Sequence, residues 1–165
     1  VIDLSQATVL PGLIDAHTHM FDNRGPKGTT ENSMLIAVSN LQADLRAGFT
    51  AARDMTSHGN GYADIEIRDA INQGRIDGPR YQVSTRGIVW GASAPNPAVP
   101  ENPLASTVVR SVEEARAAVR DQIGHGADWI KLYPTGAYSI TATGQVQYQL
   151  TYPMPVLQVC YHSRR

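Results

Sequence analysis

The sequence predicts an α/β fold organised around a parallel sheet, and three observations carry that expectation. Short apolar runs alternate with longer segments whose apolar residues recur at helical spacing, in the order strand, helix, strand, helix. Glycines stand where the helical segments must stop, at Gly48, Gly74 and Gly126. The strands are separated by helices of roughly a dozen residues or more, which suits right-handed βαβ crossovers and not hairpins. Four strands and three helices read in this way from the sequence make half of a closed barrel or a small open sheet.

The first strand leaves Pro11-Gly12, runs through Leu13-Ile-Asp-Ala16 and ends in His17-Thr-His19. Alternation places Asp15, His17 and His19 on one face and Ile14, Ala16 and Thr18 on the other. A polar loop from Phe21 to Asn32 follows. Met34, Ala37, Val38, Leu41 and Leu45 then form a helical stripe, with Ser33 as N-cap and Gly48 as stop. Phe49 to Met55 is the second strand. Ile67, Ala70 and Ile71 mark a second helix that ends before Asp77-Gly78-Pro79. Tyr81 to Trp90 is the third strand, in which Gly87 signals a bulge or a close approach. A loop with Pro95, Pro97, Pro100 and Pro103 precedes a third helix, opened by the capping box Ser111/Glu114. Val112, Ala115, Val119 and Ile123 are its apolar face. Trp129 to Tyr133 is the fourth strand.

Composition narrows the class. A chain of 165 residues buries a sizeable core as one domain, yet a full (β/α)₈ barrel needs about 250. Hydrophobic content of 42% with 18% charged residues is that of a globular protein. The net charge is −1, and the 14 Lys and Arg are scattered until Arg164-Arg165, so no basic face for nucleic acid is expected. No apolar run approaches the roughly 20 residues of a membrane span, and no basic segment followed by an apolar run marks a signal peptide. The single cysteine, Cys160, excludes an internal disulfide and a Cys-rich zinc site. It reads as a small core or surface residue.

Two places carry chemistry. Neutral imidazoles side by side at a strand's end bind one Zn²⁺-like ion when their free ring nitrogens converge; a hydrogen-bonded or surface pair is the commoner fate of a bare His-x-His. Lys131 alternates with Ile130 and Leu132, so it faces away from the helices that cover those two. A buried, unpaired ammonium tends to lose its charge, and a neutral amine adds CO₂ to give a carbamate whose oxygens bridge two metal ions. The competing reading is a lysine that snorkels to solvent. Asp15 either orients an imidazole from behind or has a strand-end structural role. His58, in Ser57-His-Gly-Asn-Gly61, and His125, at a helix C-terminus, are assigned to no site. Tyr133 and Tyr138 line a pocket or simply pack. Gly59-Asn-Gly61 opens a helix as a dinucleotide loop would, but Asp64 stands where the third glycine belongs and would repel a pyrophosphate.

The stretch Val1-Ile-Asp-Leu-Ser5 with Thr8-Val-Leu-Pro-Gly-Leu-Ile-Asp-Ala-His-Thr-His-Met20 resembles the start of the catalytic barrel in the amidohydrolase superfamily, closest to its prolidase-like members. The resemblance continues to about Gln158. It implies a partial (β/α)₈ TIM-type barrel of about four βα units. Residues 1–10 would be a remnant of the small N-terminal β-domain strand, and 11–165 the first half of the barrel. It also implies one or two divalent metal ions, zinc above all, with His17 and His19 as ligands and Lys131 as a carboxylated bridge. Asp15 would support the histidines, and Arg53-Asp54 would match the family's Arg-Asp at the end of the second strand, in a substrate-side or an ion-pair role.

The family's later ligands are a histidine after each of strands five and six and an aspartate, the general base, after strand eight. None has a counterpart before Arg165, so no catalytic base is assigned in this chain. The tail Val159-Cys-Tyr-His-Ser-Arg-Arg165 reads as a truncation, and His162, with no strand before it, is not equated with the fifth-strand ligand. Two functional readings follow. One is a metal-dependent hydrolase of C–N bonds in small amides or dipeptides. The other is a non-catalytic fragment or self-associating half-barrel. Four parallel strands leave two apolar edges, Leu13–Ala16 and Trp129–Tyr133, so the expected partner is a second copy or a missing C-terminal half.

Overall fold

The computed structural model describes residues 2–21, 28–91, 103–135, 138–148 and 150–162. Residues 22–27 of the first loop, Pro95, Pro97, Pro100 and Arg164-Arg165 lie outside the described residues. Three strands, β1 (Leu13–Thr18), β2 (Phe49–Asp54) and β3 (Arg80–Gln82), form a parallel sheet in that order. Helices α1 (Thr30–Arg46) and α2 (Ala63–Asn72) make the crossovers. The Pro-Gly step before β1 is steric: a Cβ on Gly12 would stand 2.1 Å from Thr50 Oγ1, so only glycine lets the incoming chain lie against β2. The N-cap of α1 is Thr29, not Ser33; its side chain accepts from the Asn32 N–H at 3.3 Å.

Strict alternation fails in β1. Asp15 is level with Ala52 and Thr18 with Asp54, so the register slips between Asp15 and Thr18. Such a bulge re-aims the side chains that follow it. Ala52, Tyr81 and Val83 pack with Ala37, Leu41, Ile65 and Ile67 of the two helices, which makes theirs the helix-covered face. Asp15 pairs with Ala52 on that face and lies near Asp44 of α1, whose pKa is raised by burial first and by the Asp15 charge second. Ile14 and Ala16 instead line a hollow of the other face with Ala51, Arg53, Arg80 and Gln82.

The expected third strand divides into β3 and β4 (Gly87–Trp90). Thr85 divides it with φ 57°, a left-handed conformation that is costly for a β-branched residue. Two hydrogen bonds hold it there: its N–H donates to Asp64 Oδ2 at 2.8 Å, and its carbonyl accepts from the Ser57 N–H at 2.8 Å. Parallel to β4 runs β5 (Ser106–Val109), a strand too short and too close to the prolines to be expected, and it leads into α3 (Val112–His125). Ser111 caps α3 as expected, accepting from the Glu114 N–H at 3.0 Å, while Glu114 reaches back one residue further, to the Arg110 N–H.

Trp129–Tyr133, expected as a fourth regular strand, makes a single parallel bridge, Leu132 to Ile88. Ladder geometry is interrupted there because the Tyr152 hydroxyl lies between the Tyr133 N–H and the Ile88 carbonyl, and Pro134 follows at once. The segment still runs beside β3 and β4: Asp128 and Trp129 both donate to the Val83 carbonyl, and Ile88 donates to that of Lys131. As the alternation predicts, Ile130 and Leu132 pack toward α3 and α4 with Val119, Val156 and the buried Cys160. A two-strand hairpin, β6 (Ser139–Ile140) and β7 (Val146–Gln147), precedes α4 (Met154–His162), which carries His162 on a helix. Among the described residues no helix is long and apolar enough to cross a membrane.

Candidate metal centre

The C-terminal ends of the strands gather the polar side chains. His17 and His19 close β1 with ring centroids 5.2 Å apart. Lys131, on the bridging segment, is close enough for its charge to disfavour protonation of both. Burial is the larger influence on each imidazole, and for His19, with the nearby histidines and Lys131 adding to it, the pKa falls to about 4. Both are therefore neutral at pH 7, the form that ligates a metal. Burial likewise lowers the Lys131 pKa, toward the neutral amine that carbamate formation requires. Its ammonium nitrogen lies 5.1 Å from the centre of the Tyr133 ring. Tyr133 in turn occupies the space that Gly87 leaves open, where a Cβ would stand 2.4 Å from its Cε2.

Two carboxylates neighbour the imidazoles, Asp54 and Asp15. Asp54 Oδ1 stands 3.8 Å from His19 Nδ1, longer than a hydrogen bond, while Asp15 Oδ1 accepts from the backbone N–H of His17 at 3.0 Å. Asp15 stays near enough for its charge to favour protonation of both imidazoles, against the larger, opposite effect of burial. Asp54 is wholly buried and accepts from the Met20 N–H (3.1 Å), the Thr56 N–H (3.2 Å) and the Tyr81 hydroxyl (2.5 Å). It thus ties together the turn after His19 and the turn that carries His58. Burial pushes its pKa up to about 6, against the pull of those donors. Arg53 points to the opposite face, over the Trp129 ring at 4.6 Å, with its Nε donating to the Ala16 carbonyl.

His58, which sequence reasoning assigned to no site, lies against His19. Its ring meets that of His19 at 4.3 Å between centroids and 74° between planes. Nothing in Ser57-His-Gly-Asn-Gly61 signals this, since the contact depends on a left-handed backbone at His58, with φ 48°. His125 stacks on Tyr62 instead, at 3.9 Å, and Tyr138 is exposed. Asp64 is buried in the first turn of α2, where its own carboxylate takes the Ile65 N–H; a pyrophosphate has no place there. Among the described residues no three His, Cys, Asp or Glu side chains are set to hold one ion. The donors present fit a metal as a partial set: two neutral imidazoles and a lysine.

With that geometry in place, comparison with known proteins identifies the class. The chain belongs to the amidohydrolase family, whose model matches residues 8–154. Among solved structures it is similar to a Xaa-Pro dipeptidase with methionine bound in its active site, at 26% identity and a TM-score of 0.70, over 93% of this chain and 40% of that one. It is also similar to a prolidase complexed with N-methylphosphonate-L-proline, at 23% identity and a TM-score of 0.68, over 97% and 43%. Phenylurea hydrolase B has the same fold at 22% identity and a TM-score of 0.68, over 93% and 40%. The chain thus spans about 40% of the length of these proteins, and its fold is part of a prolidase-like barrel. No curated protein sequence matches it.

Proposed function

We propose that this chain supplies the metal-binding half of an active site that hydrolyses amide bonds in small substrates such as dipeptides. The observation that carries the reading is the convergence of His17, His19 and Lys131 at the strand ends, all three shifted toward their neutral forms. A divalent cation of the zinc type, when bound, supplies Lewis acidity and lowers the pKa of a water molecule. His17 and His19 would hold it. Lys131, as a carbamate, would complete the anionic side. The dipeptide class is suggested by the Xaa-Pro dipeptidase and prolidase among the similar structures.

Two carboxylates near the strand ends are candidates for taking a proton from water, and neither is placed for it. Asp54 is wholly buried and committed to its donors, and Asp15 faces α1. The isolated chain is therefore expected to bind Zn²⁺ without hydrolysing dipeptides above the background of the variant His17→Ala/His19→Ala. Titration with Zn²⁺ checks the first half. Two lost imidazole ligands should weaken binding at least about 100-fold, and equal affinity in the two proteins would refute the reading.

The same reading includes a partner for the open sheet. Outermost in the sheet, β1 carries Leu13 and Ile14 at 54% and 68% exposure. An apolar strand edge of this kind invites pairing. Light scattering across a concentration series should show mass rising above that of the monomer; a constant monomer mass up to high concentration would remove self-association from the proposal.

A further inference from the structure

We propose that His58 is a positioning residue for the His19 imidazole, fixing the ring by edge-to-face packing so that its Nε2 is presented to a metal ion. This rests on the metal-binding reading of His17 and His19 and adds to it a residue outside the His-x-His motif.

Three observations carry the inference. The first is the contact itself, with ring centroids 4.3 Å apart and planes at 74°, the edge-to-face geometry that aromatic rings favour. The second is the orientation it preserves. His19 Nδ1 is the nitrogen turned toward Asp54, so Nε2 remains for a ligand, and a ring flip would exchange the two. His58 packs its ring against His19 in that orientation.

The third is the backbone. His58 sits at φ 48°, between a Thr56 hydroxyl that accepts its N–H at 3.0 Å and Gly59 at φ 91°. A left-handed non-glycine residue is strained and persists only where its surroundings fix it. Here they do. Ser57 donates its N–H to the Thr85 carbonyl (2.8 Å) and its hydroxyl to the Gly61 carbonyl (2.7 Å), and the Asn60 side chain donates to the Ser57 carbonyl (2.7 Å). The turn is over-determined, and what it presents is one imidazole against another.

Direct ligation by His58 is the alternative. The two ring pairs differ in spacing, 5.2 Å for His17 and His19 against 4.3 Å here, at nearly equal interplanar angles of 76° and 74°, so the variants below are chosen to separate ligation from packing.

The test uses the whole chain, with two substitutions that separate ring from nitrogen. His58→Asn suits the left-handed backbone but removes the ring; Zn²⁺ affinity, read by competition with a chromophoric chelator, should fall about 10-fold, the lower range for residues that orient metal ligands. His58→Phe keeps the ring and removes its nitrogens, and should restore affinity to within about 3-fold of wild type. An unchanged affinity in His58→Asn overturns the proposal. So does a His58→Phe variant as weak as His58→Asn, which would make the nitrogen, not the ring, the active part.

A metal-free readout keeps this separate from the metal reading. The imidazole carbon-bound proton signals of His19, assigned by their loss in His19→Ala, should carry a ring-current shift from His58 that disappears in His58→Asn and survives in His58→Phe. If Zn²⁺ binds equally to wild type and His17→Ala/His19→Ala, the metal reading fails whatever these signals show. If the signals do not move in His58→Asn, the packing claim fails whatever the metal does.

Discussion

Replacing Asp54 by alanine is expected to destabilise the fold by about 3 kcal/mol and to loosen both histidine-bearing turns at once. The side chain is wholly buried and accepts from Met20, Thr56 and Tyr81. Alanine leaves those three donors buried without a partner, each costing about 1–3 kcal/mol. Removing a carboxylate whose pKa burial has raised to about 6 offsets part of this, by up to about 3 kcal/mol above that pH. The net loss corresponds to a fall in Tm of roughly 6–12 °C for a chain of this size. Asp54→Asn, which keeps one acceptor oxygen, should lose less. Urea unfolding at pH 7 measures both. A loss below about 1 kcal/mol in the alanine variant would mean that the turns are held by something else, and the account of Asp54 as their common anchor would fall.

Asp54 also shows where sequence reading stops. The strands, the helix-stopping glycines and the Ser111 cap were legible because they depend on local periodicity and local sterics. His17, His19 and Lys131 stood out in the sequence only through the family resemblance, since a bare His-x-His or a strand-end lysine is more often structural; in the structure the two histidine rings lie together and Lys131 is close enough for its charge to act on both. What was not legible depends on register between distant segments. The slip between Asp15 and Thr18 puts Asp15 on the helix side and leaves Asp54 facing His19, and only the pairing of β1 with β2 determines that.

Thr85 and His58 have the same kind of cause. No propensity scale puts a threonine in the left-handed region; Asp64 does so, 21 positions away in sequence, by accepting its N–H. Thr85 then takes the Ser57 N–H, and the next residue is His58. Two buried carboxylates, Asp54 at the end of β2 and Asp64 in the first turn of α2, therefore hold the loops that present the imidazoles. The fourth strand was overestimated for a related reason: Trp129–Tyr133 has the alternation of a strand, but the Tyr152 hydroxyl enters its ladder from 19 residues away. Long-range polar groups, not local pattern, shape this site.

Asp64 is expected to make the fold less stable as the pH rises from about 4 to about 7. It is fully buried, and burial, with the Asp54 charge added, raises its pKa from 3.8 to about 7. The folded chain thus keeps a proton that the unfolded chain has already released. Where the folded state binds more protons, stability falls with rising pH, so this group's contribution is fullest below its unfolded pKa and is lost through its folded one. The raised pKa corresponds to a loss on the order of 2–4 kcal/mol across that window. Asp64→Asn removes the ionisation but keeps one of the two acceptors, so the Thr85 or the Ile65 N–H loses its partner at a cost of about 1–2 kcal/mol. The two stability profiles should therefore cross. At pH 4 wild type should be the more stable, the two should be nearly equal close to pH 5, and at pH 8 the variant should be ahead by about 1–2 kcal/mol. Taking the difference between the two proteins at each pH cancels the titration of carboxyl groups remote from Asp64, and leaves that of Asp64 with its coupled neighbour Asp54. A difference that stays constant from pH 4 to pH 8 would show that Asp64 ionises in the folded protein as it does in the unfolded chain, and the buried pair would then not be the strained anchor that holds Thr85 and the His58 turn in place.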